Sequence, residues 1–234
     1  MDLIKYPKKI AEMIDHTNLK PDATKTDIKR LCDGAIKYSF GCVCVNPSYV
    51  LLSKNLLKET NVNVCTVIGF PFGANTSKIK FFEAKDAVEN GADEIDMVIN
   101  IGTLKSGLYD EVKNDISGVV AASRGKTVKV IIETALLDDD EKINACNVAK
   151  ESGADFIKTS TGFSVPGATV EDIMLIKETV GQDMGIKASG GIKDLKTALN
   201  LIDAGATRIG TSSGVKIMEE TLKYDYLGHH NQRL

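Results

Sequence analysis

Five ionisable residues stand where an apolar chain would bury them. Asp15, Asp96, Glu133, Lys158 and Lys187 each fall toward the C-terminal part of a different short β-rich run. Burying a charge without a partner costs several kcal/mol, so such residues are either strand-edge groups reaching solvent or members of a shared site. Asp96, Lys158 and Lys187 taken together favour the shared site. Two lysines in one pocket have a definite chemical use, because a lysine attacks a carbonyl only as the neutral amine. An unperturbed pKa near 10.4 leaves little of that form at neutral pH. A second cation about 4 Å away, at an effective dielectric of about 20, repels the first by roughly 4 kcal/mol, or about three pKa units. One amine is then free to form a Schiff base, while the other stays protonated and works with Asp96 to hold and move protons. The residues alone do not say which lysine is the nucleophile.

Groups this far apart in the chain meet only if the runs that carry them end at one place. The runs are IAEMIDHT (10–17), GCVCVN (41–46), NVCTVIGF (63–70), DEIDMVIN (93–100), TVKVIIET (127–134), DFIKTS (155–160), MGIKAS (184–189) and TRIGTS (207–212). Between them, KIKFFEAKDAVENG (78–91), DDEKINACNVAKESG (139–153) and TVEDIMLIKETVG (169–181) space apolar residues three and four apart, as amphipathic helices do. Asp138 and Thr169 sit at N-cap positions, and Gly91, Gly153 and Gly181 at helix exits. NGADEIDMVI (90–99), SGADFIKTST (152–161) and AGATRIGTSS (204–213) repeat a Gly-Ala step from helix into strand, at separations that suit two βα units each. Strands apolar on both faces imply a parallel sheet covered by helices. About eight units in this length predict an α/β protein, a (β/α)8 TIM barrel forming a single domain over residues 1–234, with an open doubly wound sheet as the alternative. In a barrel the C-terminal strand ends converge on one mouth, where active sites lie.

That mouth also receives KTSTG (158–162), SGG (189–191) and GTSSG (210–214), whose glycines and hydroxyls suit an anion such as phosphate. Ser212 and Ser213 would open a helix whose N-terminal amides favour the same charge. Lys193 adds a cation there or lies on a solvated helix face. Asp15, Glu133 and Cys44 are expected to line the pocket, whereas Cys42 reads as a packed thiol. His16 reads as a core histidine or a hydrogen-bond partner of substrate. Lys129 and Arg208 come early in their runs, which predicts structural or solvated roles at the opposite end of the barrel.

Composition excludes other classes. With 29 Lys+Arg against 32 Asp+Glu, the net charge of -3 gives no general pull toward nucleic acid or an anionic membrane surface, and no basic patch supplies a local one. The opening MDLIKYPKKIAEM lacks the apolar core of a signal peptide, and no stretch reaches the roughly 18 apolar residues of a membrane span, so a cytoplasmic protein is expected. Five cysteines without paired Cys-x-x-Cys spacing predict reduced thiols, and a single histidine away from the tail predicts no metal site.

IDHTNLKP (14–21), EIDMVINIG (94–102), VIIET (130–134), FIKTSTGF (156–163), IKASGGI (186–192) and IGTSSG (209–214) resemble, in order and over nearly the whole chain, the signatures of the deoxyribose-phosphate aldolase family. FIKTSTG together with KASGG is the most specific part. The resemblance implies reversible cleavage of a phosphosugar, 2-deoxy-D-ribose 5-phosphate, by a class I aldolase with neither metal nor cofactor. It places the Schiff-base lysine on Lys158, the second lysine on Lys187 and the proton-relay aspartate on Asp96. It puts the phosphate contacts on Gly162, Gly190, Gly191, Gly210, Ser212 and Ser213, and it implies a homodimer or higher homo-oligomer. Two departures stand out. Phe163 occupies a place where some members carry a lysine, and residues 228–234, expected as a flexible tail, lack the terminal tyrosine of some members.

Overall fold

Alternation along each strand sorts the sequence into two layers. The computed structural model describes residues 7–164 and 166–231, with side chains as far as Tyr224. Its strands are β1 (Ile14–Asn18), β2 (Cys42–Val45), β3 (Asn63–Ile68), β4 (Glu94–Val98), β5 (Thr127–Ile131), β6 (Phe156–Lys158), β7 (Gly185–Ser189) and β8 (Arg208–Thr211). Each pairs in parallel with its chain neighbours, and β8 pairs with β1 to close the barrel. Val43, Val64, Ile95, Met97, Val128, Val130, Ile157 and Ile209 are buried in the main apolar core, on the layer between barrel and helices. Their alternates point into the barrel, where Cys42, Cys44, Cys65 and Val67 form a second apolar cluster with Leu19.

The covering helices are α1 (Pro7–Glu12), α2 (Lys25–Tyr38), α3 (Val50–Leu57), α4 (Ser77–Glu89), α5 (Ile101–Lys105), α6 (Tyr109–Ala122), α7 (Asp139–Glu151), α8 (Val170–Val180), α9 (Leu195–Ala204) and α10 (Gly214–Asn231). The expected caps form. Asp138 and Glu141 make a reciprocal capping box at α7, and the Thr169 hydroxyl accepts the Asp172 N–H at α8. Gly91, Gly153 and Gly181 all have positive φ.

Every strand is shorter than its run, and two boundary shifts change where a residue stands. Residues 10–12 belong to α1, which Pro7 opens, so the first strand is shorter and begins at Ile14. The fifth strand stops at Ile131, and Glu133 turns the chain through a left-handed φ of 54°. The tail expected over 228–234 falls partly on the end of α10 and partly, at 232–234, outside the described residues.

Register sets the chemistry. Asp96 lies opposite Lys129, Lys158 opposite Lys187, Lys187 opposite Arg208, and Asp15 opposite Gly210. A belt of charge therefore runs round the inside of the barrel.

Candidate active site

Asp96, in the middle of β4, collects the belt. Its Oδ2 accepts from Lys158 Nζ at 2.8 Å and Lys187 Nζ at 2.7 Å, so two lysines share one carboxylate oxygen. Its Oδ1 accepts from Lys129 Nζ at 2.9 Å and from the Cys65 thiol at 3.0 Å. Lys187 also pairs with Asp15, which Arg208 holds from below at 2.8 Å. Lys129 completes the belt against Glu94 at 2.5 Å.

Burial by itself disfavours every one of these charges, and the outcome depends on the partners. For Asp96, burial is outweighed by Lys129, Lys158 and Lys187, which hold its pKa well below the usual carboxylate range. Asp15 is drawn down to about 2 against the same burial, chiefly by Lys187 and then by Lys129 and Arg208. Burial works against the Lys187 ammonium, yet Asp15 and Asp96 raise its pKa well above the ordinary value. Lys187 is therefore a fixed cation beside Lys158.

A half-open cavity of about 690 Å³ lies over this belt, with Lys158 on its wall. Gly162, Gly190, Gly191, Gly210 and Ser212 line it, together with Thr161 and Lys193. Gly190 and Gly191 have φ of 87° and 77°, values that a side chain would strain, and they turn the backbone toward the cavity. Gly210 is small for another reason: a Cβ there would lie 2.3 Å from Ser189 Oγ and 3.0 Å from Lys187 Cε. Lys193 belongs to the wall, as its reading as a cation at the anion site requires. Phe163 is also on the wall, 55% exposed, with its ring edge-on to Phe70 at 5.3 Å.

Four expected positions differ. Asp15, Cys44 and Glu133 do not line the cavity. Asp15 and Cys44 are sealed inside the barrel because their side chains point inward below the cavity floor. Glu133 lies past its strand and accepts both the N–H and the hydroxyl of Thr161, so it anchors the loop before Gly162. Ser213 is off the wall as well, its N–H turned to Thr211 Oγ1 at 2.9 Å. Asp96 and Lys187 lie beneath the floor and reach the cavity through Lys158.

Lys129 is a further correction. It is fully buried and paired with Asp96, because β5 ends at Ile131 and residue 129 is its middle, not its start. Arg208, first in β8, keeps the structural role expected of it. His16 edges the cavity, meets the Phe40 ring at a tilt of 59° with centroids 5.2 Å apart, and has its pKa pushed down to about 4 by burial, so it is neutral at pH 7. Cys65 and Glu94 were missed. Their signal was the same alternation that marks Asp96, two residues after Glu94 in its strand.

Ligand atoms of Asp15, Cys42 and Cys65, and of Cys44, Cys65 and Asp96, lie within 4.8 Å of one another. Lys129 and Lys187 stand among them, and their ammonium groups oppose a metal cation there. No helix among the described residues is long and apolar enough to cross a membrane.

Residues 9–220 match the family described as DeoC/LacD family aldolase. The chain is 59% identical to the deoxyribose-phosphate aldolase of Clostridium tetani over 213 residues, covering 91% of this chain and 99% of that one. It is 60% identical to that of Thermococcus kodakarensis over 216 residues, covering 91% and 96%. Among solved structures it resembles the aldolase QR15 with a TM-score of 0.90 at 42% identity, covering 93% of this chain and 98% of that one. It resembles the tetrameric deoxyribose phosphate aldolase of Aeropyrum pernix with a TM-score of 0.87 at 35% identity, covering 93% of each. This chain belongs to the DeoC/LacD family of aldolases.

Proposed function

We propose that Lys158 forms the Schiff base in a reversible cleavage of 2-deoxy-D-ribose 5-phosphate to D-glyceraldehyde 3-phosphate and acetaldehyde. The observation that carries this assignment is a single carboxylate oxygen shared by two buried lysines, of which Lys158 opens on the cavity and Lys187 lies beneath it. That asymmetry supports Lys158 as the nucleophile and Lys187 as the cation beside it.

Lys158 attacks the substrate aldehyde, and the carbinolamine loses water to give a protonated Schiff base. The cationic nitrogen then accepts the electron pair of the breaking C2–C3 bond, the C3 hydroxyl proton leaves to a base, and the two-carbon fragment remains as an enamine. Protonation at its terminal carbon and hydrolysis release acetaldehyde and restore the amine. Asp96 and Lys187 hold and pass these protons, directly or through a water above the belt. The glycines at 162, 190 and 191, with Ser212 and Lys193, hold the phosphate away from the reacting carbons, so its binding energy positions the chain for cleavage.

Borohydride added with substrate should leave a stable adduct that maps to Lys158. Lys158→Leu should abolish both adduct and turnover, and a fully active Lys158→Leu protein would refute the assignment. We infer also a cytoplasmic enzyme, with its five buried thiols reduced, that works as a homo-oligomer, as the Aeropyrum pernix relative does. Sedimentation giving a monomer would count against that last point.

A further inference from the structure

The two oxygens of Asp96 have different neighbours. Oδ2 faces Lys158 and Lys187, whereas Oδ1 faces Lys129 and the Cys65 thiol. A carboxylate that must exchange protons at one oxygen is held in its rotamer by what binds the other. We propose that Cys65 is a positioning residue for the aldol reaction: its S–H, donated to Oδ1, fixes the orientation in which Oδ2 meets both lysines. This rests on the roles given above to Asp96 and Lys158.

The place of Cys65 supports this. It sits fully buried in β3, at the border between the apolar inner cluster of β2 and β3 and the charged belt of the other strands. A larger polar donor would bring water or a competing partner into that border, and a simple hydrocarbon would leave Oδ1 with Lys129 alone. The groups facing its sulfur are Asp15 from β1, Cys42 and Cys44 from β2, Asp96 from β4, Lys129 from β5 and Lys187 from β7. Burial opposes ionisation of the thiol, but hydrogen bonds from Cys42 and Cys44 and the charge of Lys129 pull its pKa below the usual thiol range. The 3.0 Å separation from Oδ1 is the length of a hydrogen bond that needs a proton on sulfur, and the Asp96 carboxylate opposes the loss of that proton.

Cys65→Val fills the space and removes the donor, and Cys65→Ser keeps a donor. The Val variant should lose roughly 10-fold in kcat with KM for deoxyribose phosphate unchanged, the effect of one lost hydrogen bond to a charged group. The acid limb of its rate profile should move to higher pH, because Asp96 loses a donor that stabilises its charged form. Cys65→Ser should recover most of the activity and the original limb. Where Val packs poorly, Cys65→Ala makes the same comparison with Ser. Wild-type kcat and limb in the Val or Ala variant would overturn the proposal, as would an equal loss in the Ser variant. Borohydride trapping on wild-type protein separates the two levels: absence of an adduct on Lys158 refutes the Schiff-base reading, whereas an adduct with a fully active Cys65→Val protein refutes only the role of Cys65.

Discussion

Asp15 touches no substrate, yet it fixes the charge of the lysine beside the nucleophile. Its pKa is held at about 2 in the fold, against about 3.9 in an unfolded chain. The stability this gives, on the order of 2 kcal/mol, is complete above about pH 4 and is lost as pH falls through about 2. Lys187 and Lys129, raised in the fold, contribute in the opposite sense. Their share is present below the unfolded value near 10.4 and disappears only as pH rises through a still higher one. Urea unfolding of wild type and Asp15→Asn across the acid range should therefore show a stability gap that is constant above about pH 4 and narrows toward pH 2. A gap of the same size at pH 2 and pH 6 would show that Asp15 acts through packing and not through its charge. Only part of this was legible in the sequence. Asp96, Lys158 and Lys187 could be picked out because three charges toward the ends of apolar runs are better explained together as one site than as three strand edges, whereas Cys65 passes as an ordinary small hydrophobe.

Strand ends were harder to read than strand existence. Each of the eight runs contains a strand, of three to six residues. Position along a strand depends on where pairing stops, and that is decided by neighbours. The turn at Glu133 moved Lys129 from the bottom of the barrel to its middle and moved Glu133 itself off the wall. Helix starts were read more accurately because caps are local. The capping box of Asp138 and Glu141 satisfies N–H groups that α7 cannot satisfy itself. Asp138→Ala should cost about 1 kcal/mol of unfolding free energy with kcat and KM unchanged, because α7 lies in the outer layer. A change in KM would place that helix closer to the substrate than the cavity lining does.

The molecule keeps a second buried charge far from its reaction. Lys80 of α4 is fully buried against Asp115 of α6 at 2.5 Å and also donates to the Val98 carbonyl at 2.9 Å. Burial pulls the Lys80 pKa down, and Asp115 opposes the fall. Removing one partner leaves the other uncompensated, so Lys80→Ala should cost about 3–5 kcal/mol, and pairing Lys80→Met with Asp115→Leu should restore most of it. Denaturant unfolding of the single and double variants measures both. A sequence reading places Lys80 only on a helix, because its partner is 35 residues away.

The barrel divides its labour between kinds of backbone. The charged belt is carried almost wholly by strand residues locked in register, while much of the cavity wall, including Thr161, Gly162, Phe163, Gly190, Gly191 and Lys193, belongs to the connections above them. Phe163, exposed on the wall and outside the belt, can be exchanged to alter what the cavity admits without touching the residues of the carbon–carbon step. Acceptor preference and bond-breaking capacity can thus be inherited separately.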